Sequence, residues 1–347
     1  MHEANAKHSC NDLASLGVQN QSGESLQEAG RPVFGGVGMI QTVFTAALPV
    51  GEQLVVRKHH LAGANRGGPR VAVVTGTHGD DLEGQFVAYE LARLLRERPH
   101  DLKGTVDIYP TLNPLGLSAR EHGVPCFDID LDRTFPGNPN GNLTEALAHA
   151  VLEDILGANV CIDIRSSSVM MKEVTQIHVE EADSQVLVKL AALLNARLVW
   201  VRAPSEMRSS TMAHALTARG VPTLVVDMGV GMYLDENAGT WLAEGILRLL
   251  RHLRAWSGTT IELPPPQLSN GDNVVSVYAE QDGLFLSRVE HGSRVRRGQA
   301  IGLVADPFEG TVRREVVAPC EGLLFATRAY PVVYPGSLLG RILEDDR

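Results

Sequence analysis

The sequence predicts an α/β fold: a three-layer α/β/α domain on a mostly parallel, mixed sheet, followed by an all-β barrel or sandwich module. Three observations predict it. Strand-like and helix-like segments alternate from Val33 to Trp256, a pattern that places helices on both faces of one sheet. The stretch "IELPPPQLSN" (261–270) carries three consecutive prolines, which cannot continue a helix and favour an extended linker. Beyond it the texture changes to short strands separated by glycine turns, the signature of an all-β unit.

The elements follow in order. Residues 1–30 are polar, contain glycine and serine, and lack the apolar middle of a signal peptide, so they read as a flexible extension. The α/β domain is expected over 31–260. "LVVRKHHLAG" and "RVAVVTGT" read as strands, the second a short β-branched run of the fully buried kind. "LEGQFVAYELARLLRER" carries a helical stripe at Phe86, Val87, Leu91, Leu94 and Leu95. "GTVDIYPTLNP" is a strand ending in the loop of Asn113 and Pro114. "TEALAHAVLEDIL" is a helix with Thr144 expected as N-cap and Glu145 favoured by the helix dipole. "NVCIDIRSSS", "TQIHVE", "RLVWVRA" and "VPTLVVDMG" are strands; "QVLVKLAALLNA" and "GTWLAEGILRLLRHLRAW" are helices. After the linker, residues 271–347 contain two similar halves, each with a "GLF" or "GLLF" strand, a hydrophobic strand, a glycine turn and "IG" or "LG". A barrel or sandwich is the natural product.

Composition bounds the function. The chain has 347 residues, 44% hydrophobic and 21% charged, with a formal net charge of −10. That balance argues against nucleic acid as a partner, whose phosphates need a basic surface. No stretch reaches the roughly 18 apolar residues of a membrane span. Four widely separated cysteines (Cys10, Cys126, Cys161, Cys320) without a CxxC pair suit free thiols in a reducing compartment. A cytoplasmic location is expected.

In a largely parallel sheet, ligands bind beyond the carboxyl ends of the strands, and the polar clusters of this chain occur there. "TGTHGDDLEG" (75–84) sets His78 and Asp81 at i and i+3 where a strand passes into a helix. Such a pair can face one point and suits zinc; the same acids also suit a plain helix start. "DIDLDRTFPG" (128–137) holds three aspartates and Arg133, an arginine able to clamp a carboxylate or simply to tie the loop together. "DIRSSS" (163–168) puts Asp163 and Arg165 on one face of a strand, and a buried arginine demands an anionic partner. Asp227 ends another buried strand, as a general base or as that partner.

The order "GTHGDDLEG", "LNPLG", "DIDLDRTFPG", "DIRSSS", "VPTLVVDMG" and then a β module resembles the succinylglutamate desuccinylase/aspartoacylase family, relatives of the zinc carboxypeptidases, over residues 33–345. The resemblance implies a carboxypeptidase-like α/β/α domain, a C-terminal β domain of lipoyl-like topology, a Zn²⁺ cofactor and amide hydrolysis of a small carboxylated substrate. It assigns His78 to the metal outright, Arg133 to the substrate and Arg120 to a second, catalytic arginine. Asp81 stands where the family has a ligand glutamate, Asp132 where it has asparagine, Arg165 where it has the third zinc ligand, and Asp227 where it has the general base. Asn113 joins Asp132, Arg133 and Arg165 as a substrate-binding candidate.

A guanidinium cannot ligate a metal, so Arg165 breaks the family's set. Two repairs follow. His178, on the next strand, supplies the missing imidazole, or Arg165 itself fills the metal position with Asp81, Asp132 or Asp227 balancing its charge. The functional expectation is a deacylase with an altered metal site. Its alternative is a non-catalytic relative that binds a small ligand or an active paralogue. A homo-oligomer is expected in either case.

Overall fold

The computed structural model describes residues 38–345 apart from 66, 126, 128, 181–183 and 204–209; the extension expected over 1–30 lies outside the described residues. The chain first forms an antiparallel hairpin, β1 (Gly38–Ala47) and β2 (Gln53–Ala62). Its first strand was not expected from the sequence, because its burial alternates irregularly around a bulge between Thr42 and Phe44. β3 (Arg70–Thr75) leads into α1 (Leu82–Glu97), β4 (Thr105–Tyr109) into the short α2 (Pro114–Ala119), and a 3-10 turn at Leu131–Thr134 precedes α3 (Leu143–Ile155). The N-cap of α3 is Asn142 rather than Thr144. The Asn142 side chain accepts the Glu145 N–H while the Glu145 carboxylate accepts the Asn142 N–H, a complete capping box.

β5 (Val160–Ser166), β6 (Met171–Glu180), α4 (Ser184–Ala191), β7 (Leu198–Arg202), α5 (Met212–Ala218), β8 (Thr223–Gly229) and α6 (Glu236–His252) complete the α/β part. The strand order is β1-β2-β4-β3-β5-β8-β6. β3 pairs in parallel with both β4 and β5, and β5 pairs in parallel with β8. The antiparallel steps are β1/β2, β2/β4 and β6/β8, so the sheet is mixed with a parallel centre. One apolar layer, with Val71, Val73, Leu91, Ile162, Val226 and Ile246, fills the face under α1 and α6. The opposite face, with Ala72, Val74, Leu147, Val151 and Leu216, packs on α3 and α5. Period-2 alternation explains the split: Val71 and Val73 point one way, Ala72 and Val74 the other.

The proline-rich segment ends in β9 (Gln267–Ser269), which adds in parallel to β7. The β module then runs β10 (Val274–Tyr278), β11 (Gly283–Ser287), β12 (Arg294–Val295), β13 (Ala300–Asp306), β14 (Thr311–Val317), β15 (Gly322–Arg328), β16 (Val332–Val333) and β17 (Leu338–Glu344). One four-stranded sheet, β14-β13-β11-β16, faces the strands β10-β17-β15 across a core of Phe285, Ile301, Val304, Leu324 and Ile342. β15 pairs antiparallel with β6 through Ala326 and Glu173. The module is therefore stitched to the main sheet by backbone hydrogen bonds. Among the described residues, no helix is long and apolar enough to cross a membrane.

Candidate active site

Three central strands, β3, β5 and β8, end side by side, and the turns beyond them carry the polar residues. After β3 the chain turns at Gly76, whose φ of 63° leaves no room for a side chain against Thr111 and Gln85. His78 follows, buried. Its backbone N–H donates to Asp81 Oδ2 at 2.9 Å, its Nδ1 lies 3.2 Å from the same oxygen, and its Nε2 lies 3.0 Å from Asp130 Oδ1. Asp81 is the N-cap residue of α1, but its side chain makes no capping bond. Its other oxygen accepts the Ser166 N–H at 2.8 Å, tying the β3 turn to the end of β5. The pair is thus more than a helix start. Burial opposes protonation of His78, but the hydrogen bonds to Asp130 and Asp81 outweigh it and carry its pKa up to about 10. Burial likewise opposes ionisation of Asp130, and the hydrogen bond from His78 overcomes it to hold that carboxyl at about 2.

Arg165, on β5, is saturated with carboxylates. Its Nε donates to Asp163 Oδ2 at 2.9 Å and Nη2 to the same oxygen; Nη1 and Nη2 make a bidentate pair with Asp132 at 2.7 and 2.8 Å. Asp132 Oδ1 also accepts the Met212 N–H at 3.2 Å, at the start of α5. Of the three carboxylates expected to balance Arg165, only Asp132 does so; Asp163 is the second partner, in place of Asp81 and Asp227. The aspartate at 132 has a physical reason. A carboxylate offers two oxygens to the planar guanidinium, whereas an asparagine amide offers one. Two aspartates around one arginine leave a buried excess of negative charge. Burial first, then the neighbouring Asp132 and Asp81, push the Asp163 carboxyl upward against the pull of Arg165.

On β8, Asp227 stands in register beside Arg165. Its Oδ2 lies 2.8 Å from Nε2 of His178 on β6, and Arg202 Nη2 lies 3.3 Å from the same nitrogen. Burial would raise the Asp227 pKa, yet His178, Arg165 and Arg202 bring it down to about 2. Burial lowers that of His178. Nε2 thus meets both a carboxylate and a guanidinium, while Nδ1 is buried with no hydrogen-bond partner among the described residues. Asp227 is the more accessible of the two, its side chain 28% exposed against 7% for His178.

A cavity of about 330 Å³ opens over this pair, walled by Asp132, Arg133, Arg165, His178, Arg202 and Asp227 among others. The structure therefore brings together Asp132, Arg133, Arg165, His178 and Asp227. It does not bring His178 to His78 and Asp81, as a third metal ligand would require: the imidazole is turned to Asp227, and neither His78 nor Asp81 lines the cavity. Arg120 is exposed and closes α2 in the left-handed conformation at φ 62°. Asn113 is spent on the backbone, accepting from Gly116 N at 2.8 Å and donating to Gly123 O at 2.9 Å. That role shapes the loop.

Sequence reasoning passed over Arg202, His122 and Asp130. Arg202 ends a strand whose neighbours gave no polar signal. Asp130 was visible only as one of several acids in its loop, and His122 as an isolated histidine beside Arg120.

The family's zinc does not fit its own positions here. At His78, Asp81 and Arg165 the third group has no lone pair to give, and its donors already meet Asp132 and Asp163.

A mixed α/β sheet with a carboxylate- and arginine-lined cavity over β6 and β8, joined to a β sandwich, defines the class: a carboxypeptidase-like α/β fold. The model of the succinylglutamate desuccinylase/aspartoacylase catalytic domain matches residues 67–253, and the chain belongs to that family of amide hydrolases. It is 26% identical over 284 residues to the N-alpha-acetyl-L-2,4-diaminobutyric acid deacetylase of Halomonas elongata, covering 80% of this chain and 82% of that protein. Its fold matches a succinylglutamate desuccinylase/aspartoacylase from Rhodobacter sphaeroides with a TM-score of 0.72 at 22% identity, over 91% of this chain and 98% of the other. It also matches the product-bound ectoine utilization protein EutE from Ruegeria pomeroyi with a TM-score of 0.73 at 19% identity, over 89% and 95%.

Proposed function

We propose that the chain is a deacylase that cleaves the amide of a small N-acyl amino acid, with Asp227 as general base. The observation that carries this reading is Asp227, its side chain 28% exposed, on the wall of a cavity of about 330 Å³ that also presents Arg133 and Arg202. That volume suits a small metabolite. Arginine is the side chain best matched to a carboxylate, and the exposed Arg133 is the group we assign to the substrate's. Asp227 takes a proton from the attacking water and delivers it to the leaving amine. His178 holds the carboxylate in one orientation through the 2.8 Å bond. Arg165, enclosed by Asp132 and Asp163, sets the cavity's charge and shape. The small N-acetylated amino acid in the name of the Halomonas elongata relative supports this substrate class.

The test is a panel of N-acetyl and N-succinyl amino acids, with free amine as the readout. Turnover of at least one member is expected, together with a rise in KM for Arg133→Ala on that substrate. The second reading, a non-catalytic relative that binds a small ligand or an active paralogue, is favoured by the saturation of Arg165 where the family keeps a metal ligand. Calorimetric binding of the same compounds without any amine release is its signature.

A further inference from the structure

Two imidazoles and a carboxylate, from His78, His122 and Asp130, converge beside the β3 turn, outside the walls of the arginine-lined cavity. His78, His122 and Asp130 each offer one ligand-capable atom within 4.8 Å of the other two. We propose that these three residues form a binding site for a divalent transition-metal ion of the zinc type, built from a different set than His78, Asp81 and Arg165.

The His78 and His122 rings lie side by side, centroids 3.9 Å apart and planes 8° from parallel, a stack that brings the two imidazoles together without aiming both at one point. Each imidazole has its own carboxylate: His122 Nδ1 lies 2.9 Å from Asp80 Oδ1, and His78 Nδ1 lies 3.2 Å from Asp81 Oδ2. Such partners fix the tautomer and orientation of metal-binding histidines and leave Nε2 for the ion. His78 Nε2 already sits 3.0 Å from Asp130 Oδ1. One backbone bond ties His122 to the turn, and two more hydrogen bonds hold the described residues around it. Gly79 N donates to His122 O at 3.2 Å, and Val124 N donates to Ile129 O at 2.8 Å; Asn113 Nδ2 donates to Gly123 O at 2.9 Å. A Cβ at Gly79 would collide with the Gly116 and Glu121 backbone, so this close approach requires glycine.

Two imidazoles and one carboxylate favour zinc and its first-row neighbours over calcium or magnesium, which take oxygen sets. Zinc bonds of ~2.0–2.2 Å place tetrahedral donors roughly 3.3–3.6 Å apart, closer than the 4.8 Å limit within which these atoms fall. The rings must fan out from their stack, a rotation open to the His122 side chain, which is 58% exposed. Three protein ligands on the open side of the turn leave a fourth position for solvent, the pattern of non-structural zinc sites.

The inference does not rest on the deacylase reading, since it is tested without substrate. Protein free of a histidine tag is equilibrated with zinc, dialysed, and assayed for metal by elemental mass spectrometry; cobalt(II) absorption reports the ligand environment. Stoichiometric metal is expected in the wild type. His122→Ala and Asp130→Asn each lose it with unchanged circular dichroism, Asp80→Asn weakens it by about 10–100-fold, and the exposed-helix control His252→Ala keeps it. Wild-type protein without stoichiometric metal overturns the proposal. So does metal that persists in both His122→Ala and Asp130→Asn, above all if Asp81→Asn then removes it.

Discussion

Arg165 is the residue on which this site turns. Its guanidinium binds Asp132 and Asp163 in a buried cluster, and removing one partner from such a cluster is more damaging than never having built it. Arg165→Ala is expected to destabilise the fold by about 3–5 kcal/mol, read as a lower denaturation midpoint at constant m-value. An unchanged midpoint would show that Asp132 and Asp163 find other partners. His178 acts on Asp227 in a way that can be separated from structure. Of the groups that hold the Asp227 pKa at about 2 against burial, His178 is the strongest. In His178→Ala the base therefore becomes harder to ionise, and the acidic limb of kcat/KM should move upward from its wild-type position, with kcat reduced by lost orientation. An acidic limb that stays in place contradicts the pairing. Arg165, Asp227 and His78 were legible in the sequence because each ends an otherwise apolar strand. Their partners were not, because ion pairing across 33 residues to Asp132, or across the β6/β8 register to His178, depends on how strands align rather than on local pattern.

At the scale of elements, caps and turns decide how the site is held. Asn142→Ala removes the capping box of α3 and should cost about 1 kcal/mol, measurable in the same denaturation series. α1 raises a different point. Its Glu83 side chain is buried beside Gly229, accepts the Asp235 N–H at 3.0 Å, and is pushed by burial to a pKa of about 7 from 4.5. The folded state thus holds this proton more tightly than the unfolded chain. Stability contributed by Glu83 is greatest below pH about 4.5 and declines as pH rises through about 7. Glu83→Gln should gain stability relative to the wild type at pH 8 and little at pH 4; equal effects at both would refute the assignment. The sequence located α1 by its apolar stripe, α3 by its cap and dipole residues, and α4 and α6 as helix-like segments. It missed α2 and α5, which span only Pro114–Ala119 and Met212–Ala218, too short to display a period.

For the whole molecule, the change of texture after the prolines is where the sequence places the start of the all-β unit, and the attachment of that unit lies beyond sequence pattern. β15 pairs with β6, and Phe325 packs with Met171, Val174 and Leu198 in a core shared by both parts. A chain ending at residue 262 would expose the β6 edge and that apolar surface. It is expected to aggregate or lose its cooperative transition, judged by size-exclusion profile and thermal melt; a monomeric, cooperative fragment would mean the module is only an appendage. The same sheet carries the cavity lined by Asp132, Arg133, Arg165, His178, Arg202 and Asp227. The most direct test of Asp227 as base is single-turnover amide cleavage of the best N-acyl amino acid by Asp227→Asn beside the wild type. The cleavage rate should fall by at least about 100-fold, the order of a general base's contribution, while substrate affinity is retained. Cleavage at the wild-type rate by Asp227→Asn would remove Asp227 from the chemistry and the proposed mechanism with it.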